Sequence, residues 1–299
     1  MNPVKQSFEV IKETDILKKI ELCGRTCYQS FDKITKESSK KFVEKLIARG
    51  HESVLEHVWL KLNLTPITYS VFYKKYQKEV LSKGLNSFIL CNEEEKSIVG
   101  NIRAIRQLTK DYGFYFIELN ENYPVLFPDR GDIPLSCRYE VYQDTITVKF
   151  ITNRNVSHQL VRHEAEISQE SQRYVIPSSK DKDINEGMKF IIPVQFLEDG
   201  KLNKHKDGYE VWENACKDSE FYYKGIQEAG YPPQVCRNAL NSSIKTEIVM
   251  TCTKEQWRHI FDERLASGAD PQTRSLLGGF YQEVCNSLQR EPIKTNQGI

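Results

Sequence analysis

No apolar run in this 299-residue chain approaches the roughly 20 residues needed to cross a membrane. Charge of one sign is lacking as well: 42 Lys and Arg stand against 41 Asp and Glu, for a net charge of +1. That balance argues against a general nucleic-acid or membrane-surface binder, so basic residues must act locally if they act at all. The opening stretch, MNPVKQSFEVIKETDILKK, is too charged for a secretory leader, and a cytoplasmic location is expected. Paired cysteine spacing is also missing. The eight cysteines (23, 27, 91, 137, 216, 236, 252, 285) are scattered. Cys23 and Cys27 come nearest to a pair, with no second pair or histidine at zinc-site spacing. Reduced, mostly buried thiols are therefore expected, with no metal and no cysteine nucleophile. There is no internal repeat and no low-complexity tract.

What is present organises readily. The length allows one large domain or two small ones with a substantial core. Residues 36–49 read as an amphipathic helix with Phe42, Val43, Leu46 and Ile47 on one face and Gly50 as its stop. The polar GHESVLEH, 50–57, leads into a strand in which Val58, Leu60, Leu62 and Leu64 alternate with Trp59, Lys61 and Asn63. A second alternating strand, Ile146, Val148 and Phe150 against Thr145, Thr147 and Lys149, feeds a helical segment carrying Gln159, Arg162 and His163. Residues 66–144 between them read as an insertion or subdomain of a single domain spanning 1–299. They include the helix-like NIRAIRQLTKDY and a loop, FPDRGDIP. Helices are expected at 209–229 (stripe Trp212, Cys216, Ile226), 253–265 and 271–289. The polar span 178–207 is expected as a mobile loop.

Residues 158–174, HQLVRHEAEISQESQRY, concentrate Arg162, His163, Ser171, Gln172 and Arg173. Guanidinium forks, hydroxyls and an amide suit the gripping of an anion. The plain alternative is a solvated helix face, with His158, Gln159, Arg162 and His163 on one side and Val156, Leu160 and Val161 partly opposite. A second anomaly lies in the helix at 253–265. Thr253 and Gln256 form a capping box, and Trp257, Ile260, Phe261 and Arg264 then share one face. Three of them want a core. Arg264 must snorkel out, meet an internal carboxylate such as Glu247, or line a pocket and meet a ligand.

The string HQLVRH…SQESQRY resembles the signature of the flavin-dependent thymidylate synthases: Arg-His-Arg, seven residues, Ser, and Arg two positions later. LCGRTCYQS (22–30) and GHESVLEH are similar to that family's N-terminal region. NSSIKTEIVM (241–250), EQWRHIFDERLAS and DPQTRSLL (270–277) are similar to its C-terminal region, in the same order. The resemblance implies a homotetrameric α+β enzyme whose antiparallel sheet is flanked by helices, with the inserted segment between two core strands. It implies transfer and reduction of the methylene of methylenetetrahydrofolate onto dUMP to give dTMP, with FAD as hydride carrier and NADPH reloading it. The family needs no cysteine nucleophile. Matched position by position, Arg264 is the catalytic arginine that stabilises charge on the pyrimidine. Gln159, Arg162, Ser171, Gln172, Arg173, Arg237 and Arg264 carry over as dUMP contacts. His51, Ser53, Arg162, His163, Gln169 and His259 carry over as FAD contacts. Nucleic-acid and membrane partners are not implied.

Four changes depart from the pattern. Glu164 replaces the third residue of Arg-His-Arg, and six residues rather than seven precede Ser171. Thr253, Lys254 and Glu255 replace Asn-x-Arg at the start of a helix, and Asp270 stands where a histidine is expected. Thr253 and Asp270 read equally as N-caps, and Glu255 suits the first turn of a helix. Three of the four changes fall on the flavin side, where reversed charge weakens a dinucleotide. Two further readings therefore stand beside the synthase. One is a diverged relative that hydroxymethylates or otherwise modifies dUMP or another pyrimidine nucleotide. The other is a non-catalytic nucleotide-binding protein on the same fold.

Overall fold

The alternation at 145–150 becomes the strand Thr145–Asn153 of a four-stranded sheet. The computed structural model containing it describes residues 1–80, 89–128, 131–173 and 187–289. The chain divides into two units: Met1–Ile11, Arg25–Ser30 and Ile146 onward form the first, and Lys12–Gly24 with Phe31–Thr145 form the second. Both are built mainly of antiparallel strands with helices, the expected α+β class.

In the first unit the sheet order is Glu166–Gln169, Lys245–Thr253, Thr145–Asn153, Ser7–Val10. Both outer pairs are antiparallel, with Glu166 opposite Thr251 and Ser7 opposite Ile151. The helices Lys254–Arg264 and Pro271–Val284 bury Trp257, Phe261 and Phe280 in one cluster with Val148 and Phe150 of the sheet. Trp257 and Phe280 meet edge to face at 4.9 Å, and the Trp257 indole N–H donates to the Ile146 carbonyl at 3.0 Å. Truncating Trp257 to alanine would cost about 3–5 kcal/mol. Both helices start where their caps dictate. Thr253 and Gln256 close a reciprocal capping box, and Asp270 accepts from the Thr273 N–H at 2.8 Å. The helix Tyr209–Glu228 turns Cys216 and Tyr223 into a second core with Met188, Phe190 and Ile244, and Trp212 and Ile226 pack at its edge.

Two expectations need correction here. The span 178–207 is not simply a polar loop. Residues 174–186 lie outside the described residues, but Lys189–Ile191 pairs in parallel with Asn2–Val4, and Leu197–Glu198 pairs with Lys201–Leu202. Met188, Phe190, Ile191 and Ile192 are buried. A short apolar run between strongly charged flanks reads as loop because burial on both faces abolishes alternation. Second, the helix after the Thr145–Asn153 strand runs only Arg154–Leu160, capped by Asn153, and places Arg162 and His163 on the turn beyond it. The chain must reverse there to return as the Glu166–Gln169 strand. Val161, at 42% exposed, faces solvent rather than the core side.

In the second unit the sheet order is Ile89–Asn92, Ser97–Asn101, Trp59–Leu64, Cys137–Val141, antiparallel throughout. Residues 66–144 thus supply three of its strands and pair on both sides of Trp59–Leu64. The strands bracketing that segment, Trp59–Leu64 and Thr145–Asn153, belong to different sheets. NIRAIRQLTKDY forms the helix Ile102–Tyr112, capped by Asn101 and ended by Gly113 at φ 71, which a side chain would strain. Residues 129 and 130 of the expected FPDRGDIP loop lie outside the described residues, and its last residues begin the strand Ile133–Leu135. None of the eight cysteines forms a disulfide, and six are buried.

Candidate functional site

Arg264 ends the Lys254–Arg264 helix, one turn beyond the buried Ile260 and Phe261, so its side chain leaves the edge of the core half-buried. Its Nε donates to His163 Nε2 at 2.9 Å, and its Nη2 lies 3.4 Å from the Gln159 carbonyl oxygen. Neither partner is a carboxylate. Glu247, the internal carboxylate considered as its partner, is held by Lys245 at 2.6 Å. Burial, aided by the Arg264 charge, holds His163 below its ordinary pKa, and Glu263, 3.8 Å from its Nδ1, opposes this only in part. The ring is therefore neutral near pH 7, and its Nε2 lone pair is free to receive Arg264. His259, exposed on the preceding turn, pairs with the same Glu263 at 3.2 Å.

Gln159 is anchored from the next helix. Thr273, fully buried, places its Oγ1 3.1 Å from Gln159 Oε1 and 3.1 Å from Asp270 Oδ1. A second cationic group lies at the opposite end of the short helix. Arg154 donates through Nη1 to Gln172 Oε1, and its Nη2 lies 3.4 Å from His158 Nε2. Burial and the neighbouring Arg237 guanidinium both pull Arg154 below the ordinary arginine range. Among the described residues neither Arg154 nor Arg237 has a carboxylate partner. Two like charges without an internal counter-ion make a locally unfavourable arrangement that an anion would relieve. Gln172 is 8% exposed and tied to this group, and Ser171 is fixed through its N–H to the Cys27 carbonyl at 3.1 Å. The exposed Arg173 follows directly.

The candidate residues thus fall into groups. Gln159, His163 and Arg264 come together around one guanidinium. Gln172 accepts from Arg154, whose charge Arg237 is near enough to oppose. Arg162 stands exposed on its turn, and no carboxylate pairs with it among the described residues. Gln169 is turned inward: its amide nitrogen donates to Ser157 and Thr246 hydroxyls at 3.1 and 3.2 Å. His51 and Ser53 lie in the second unit, both exposed, where His51 precedes the 3-10 turn Glu52–His57. Glu52 between them accepts from the buried Arg106 at 3.2 Å and from Lys110 at 2.9 Å. Burial alone would raise the Glu52 pKa, but these two cations outweigh it and hold the carboxyl below its ordinary range. Glu164 and Glu255 are exposed. No His, Cys, Asp and Glu grouping suited to a metal occurs among the described residues.

Arg154 and Thr273 were not among the residues singled out from the sequence. Arg154 stands four positions before His158 on one helical side, a spacing that offered the only clue. Thr273 reads as an ordinary buried residue, and only the packing of two helices shows its contact.

Mixed helices and mainly antiparallel strands define an α+β protein, which carries clustered guanidinium groups with no carboxylate partner among the described residues. The sequence profile of the family described as thymidylate synthase complementing protein matches residues 9–83 and 143–287, and the chain belongs to that family. The match omits 84–142, most of the segment bracketed by the two units' central strands. Among similar proteins, a flavin-dependent thymidylate synthase of Pyrococcus abyssi is 28% identical over 142 residues, 47% of this chain and 54% of the relative. That of Pyrococcus horikoshii is 33% identical over the same length and shares. The chain spans about half the length of the curated relatives it matches. A solved structure of the UMP/dUMP methylase PolB from Streptomyces cacaoi, bound with 5-Br UMP, aligns over 96% of this chain and 92% of its own at 11% identity and a TM-score of 0.43.

Proposed function

We propose that this protein is a flavin-dependent thymidylate synthase acting on dUMP, and that Arg264 provides the charge on which the reaction turns. The observation that carries this reading is how Arg264 is held. A guanidinium fixed by a neutral imidazole and a backbone carbonyl is oriented without being neutralised, as a site that stabilises developing negative charge on a pyrimidine requires. Arg154 and Arg237 supply an anion-seeking pair for the nucleotide phosphate, with Gln172, Ser171 and Arg173 completing the donor set. Gln159 and His163 hold Arg264 at the ring.

The residues present also suit a flavin dinucleotide. Arg162 is an exposed guanidinium without a carboxylate among the described residues, and His51 and Ser53 are exposed donors on their turn. In the first unit Arg162 and His259 would hold FAD, and the flavin, when bound, would supply hydride from NADPH for reducing the methylene of methylenetetrahydrofolate. Glu164 and Glu255 are exposed and therefore screened, so they lower flavin affinity less than buried carboxylates would. The inward turn of the Gln169 amide also favours a second reading, in which the nucleotide site is kept and a related pyrimidine modification is carried out. The oligomer would be the family's homotetramer, and the location cytoplasmic.

The test is the absorbance spectrum of the pure protein with and without added FAD, followed by product analysis with dUMP, methylenetetrahydrofolate and NADPH. A flavin spectrum and NADPH-dependent dTMP are expected. Binding of dUMP with another product would replace this reading with the second, and binding with no product would leave only a nucleotide-binding protein.

A further inference from the structure

The Thr273 hydroxyl has one hydrogen and two oxygen neighbours, Asp270 Oδ1 and Gln159 Oε1, each at 3.1 Å. It can donate to only one of them. If it donates to Gln159, the Asp270 oxygen faces a hydroxyl oxygen with no hydrogen between them. If it donates to Asp270, the bond is charge-assisted and stronger, and the hydroxyl oxygen offers a lone pair to Gln159. The two ends of a glutamine amide occupy the same volume. With Nε2 turned toward Thr273, both contacts become hydrogen bonds. Asp270 is already fixed for this role, because the same Oδ1 caps the Pro271–Val284 helix through the Thr273 N–H at 2.8 Å.

We infer that Asp270, acting through Thr273, locks the Gln159 side chain with its carbonyl oxygen facing the ligand, and that this acceptor selects uracil over cytosine nucleotides. The inference rests on the reading of Arg264 as the group that meets the pyrimidine. Gln159 lies directly beside Arg264, whose Nη2 is 3.4 Å from its backbone oxygen. In this reading the turned side-chain oxygen of Gln159 is the acceptor that accompanies the Arg264 donors. Uracil presents a carbonyl acceptor next to the N3–H donor and matches both groups. Cytosine carries an unprotonated N3, which would set a lone pair against the Gln159 oxygen. Loss of such a match at these half-buried groups is discriminating, because it leaves polar groups unpaired. Asp270 and Thr273 are thus positioning residues, and Gln159 touches the base. Asp270 stands where the family resemblance leads one to expect histidine, so this device belongs to the present chain's own residues.

Calorimetric titration of dUMP and dCMP into the full-length protein tests this. The wild type should prefer dUMP, and Thr273→Val, which removes the hydroxyl but keeps its volume and the Asp270 cap, should reduce that preference at least about tenfold. Asp270→Gly should erode it in the same direction, while Asp270→Asn, which keeps the acceptor, should retain it. A purely structural role would weaken both nucleotides equally and leave their ratio unchanged. Wild-type preference for dUMP that survives both Thr273→Val and Asp270→Gly overturns this inference alone. Failure of the wild type to bind dUMP overturns the parent reading and this one together.

Discussion

Lys245 and Arg264 are both cations at the edge of the first unit's core, and they are held in opposite ways. Lys245 sits between two carboxylates, 2.6 Å from Glu247 and 3.3 Å from Glu170. Burial alone would lower its pKa, but the two acids raise it above the ordinary lysine range. Its charge is used up inside the fold. Arg264 is received by the neutral His163 ring and a carbonyl oxygen, so its charge is oriented and kept. Arg154 repeats the second pattern, bonded to an amide oxygen and lying beside another arginine. The difference teaches that a polar cluster reveals its purpose by its counter-ions. A cation with acids holds structure; a cation with neutral acceptors is left for a ligand.

That contrast can be broken most forcefully at Lys245. Replacing it with Met strands Glu170 and Glu247 in a buried site and should destabilise the protein by about 3–5 kcal/mol in urea denaturation. Arg264→Met should cost within about 1 kcal/mol, since the hydrogen bonds it loses have neutral acceptors. Equal losses would erase the distinction between the two cations. A smaller effect is expected at the anion-seeking pair. Arg237→Ala or Arg154→Ala should weaken dUMP by about 10–100-fold, the worth of one charged hydrogen bond of roughly 1.5–3 kcal/mol, and leave deoxyuridine affinity nearly unchanged. Parallel loss of both ligands would mean that these arginines shape the site rather than bind phosphate.

The smallest effect concerns His163. Its folded pKa lies below the ordinary 6.5 because of burial and the Arg264 charge. Removing Arg264 with Arg264→Gln should raise it, as followed by the ring proton shifts in NMR titration. The sign for stability follows from proton uptake. As pH falls through 6.5 the unfolded chain binds the proton first, so stability declines from there down to the lowered folded value and is unaffected above 6.5. In Arg264→Gln that acid loss should shrink. An unchanged His163 pKa would show that the two side chains do not interact as described.

Much of this was legible in the sequence where local chemistry decides the outcome. The Thr253 capping box, the Asp270 cap and the Trp257, Ile260, Phe261 stripe all appear in the structure as spacing and cap chemistry require. Arg264 was visible as a charge in the wrong place, and the choice among its three fates needed tertiary contacts to show that Glu247 belongs to Lys245. The buried run at 188–192 was hidden because a strand covered on both faces has no period of two. Thr273 and Arg154 were hidden for a different reason. A buried threonine and an arginine at a helix start are common, and their meaning lies in partners over a hundred positions away or across a strand, which no local pattern carries.

The most direct measurement is the turnover of Arg264→Ala, assayed as NADPH-dependent dTMP formation alongside dUMP and flavin binding. If Arg264 is the group on which the reaction turns, as proposed, turnover should fall at least about 100-fold while the flavin and most dUMP affinity are retained. Turnover near that of the wild type would contradict the account, because a cation held without being neutralised would then be doing nothing in the reaction.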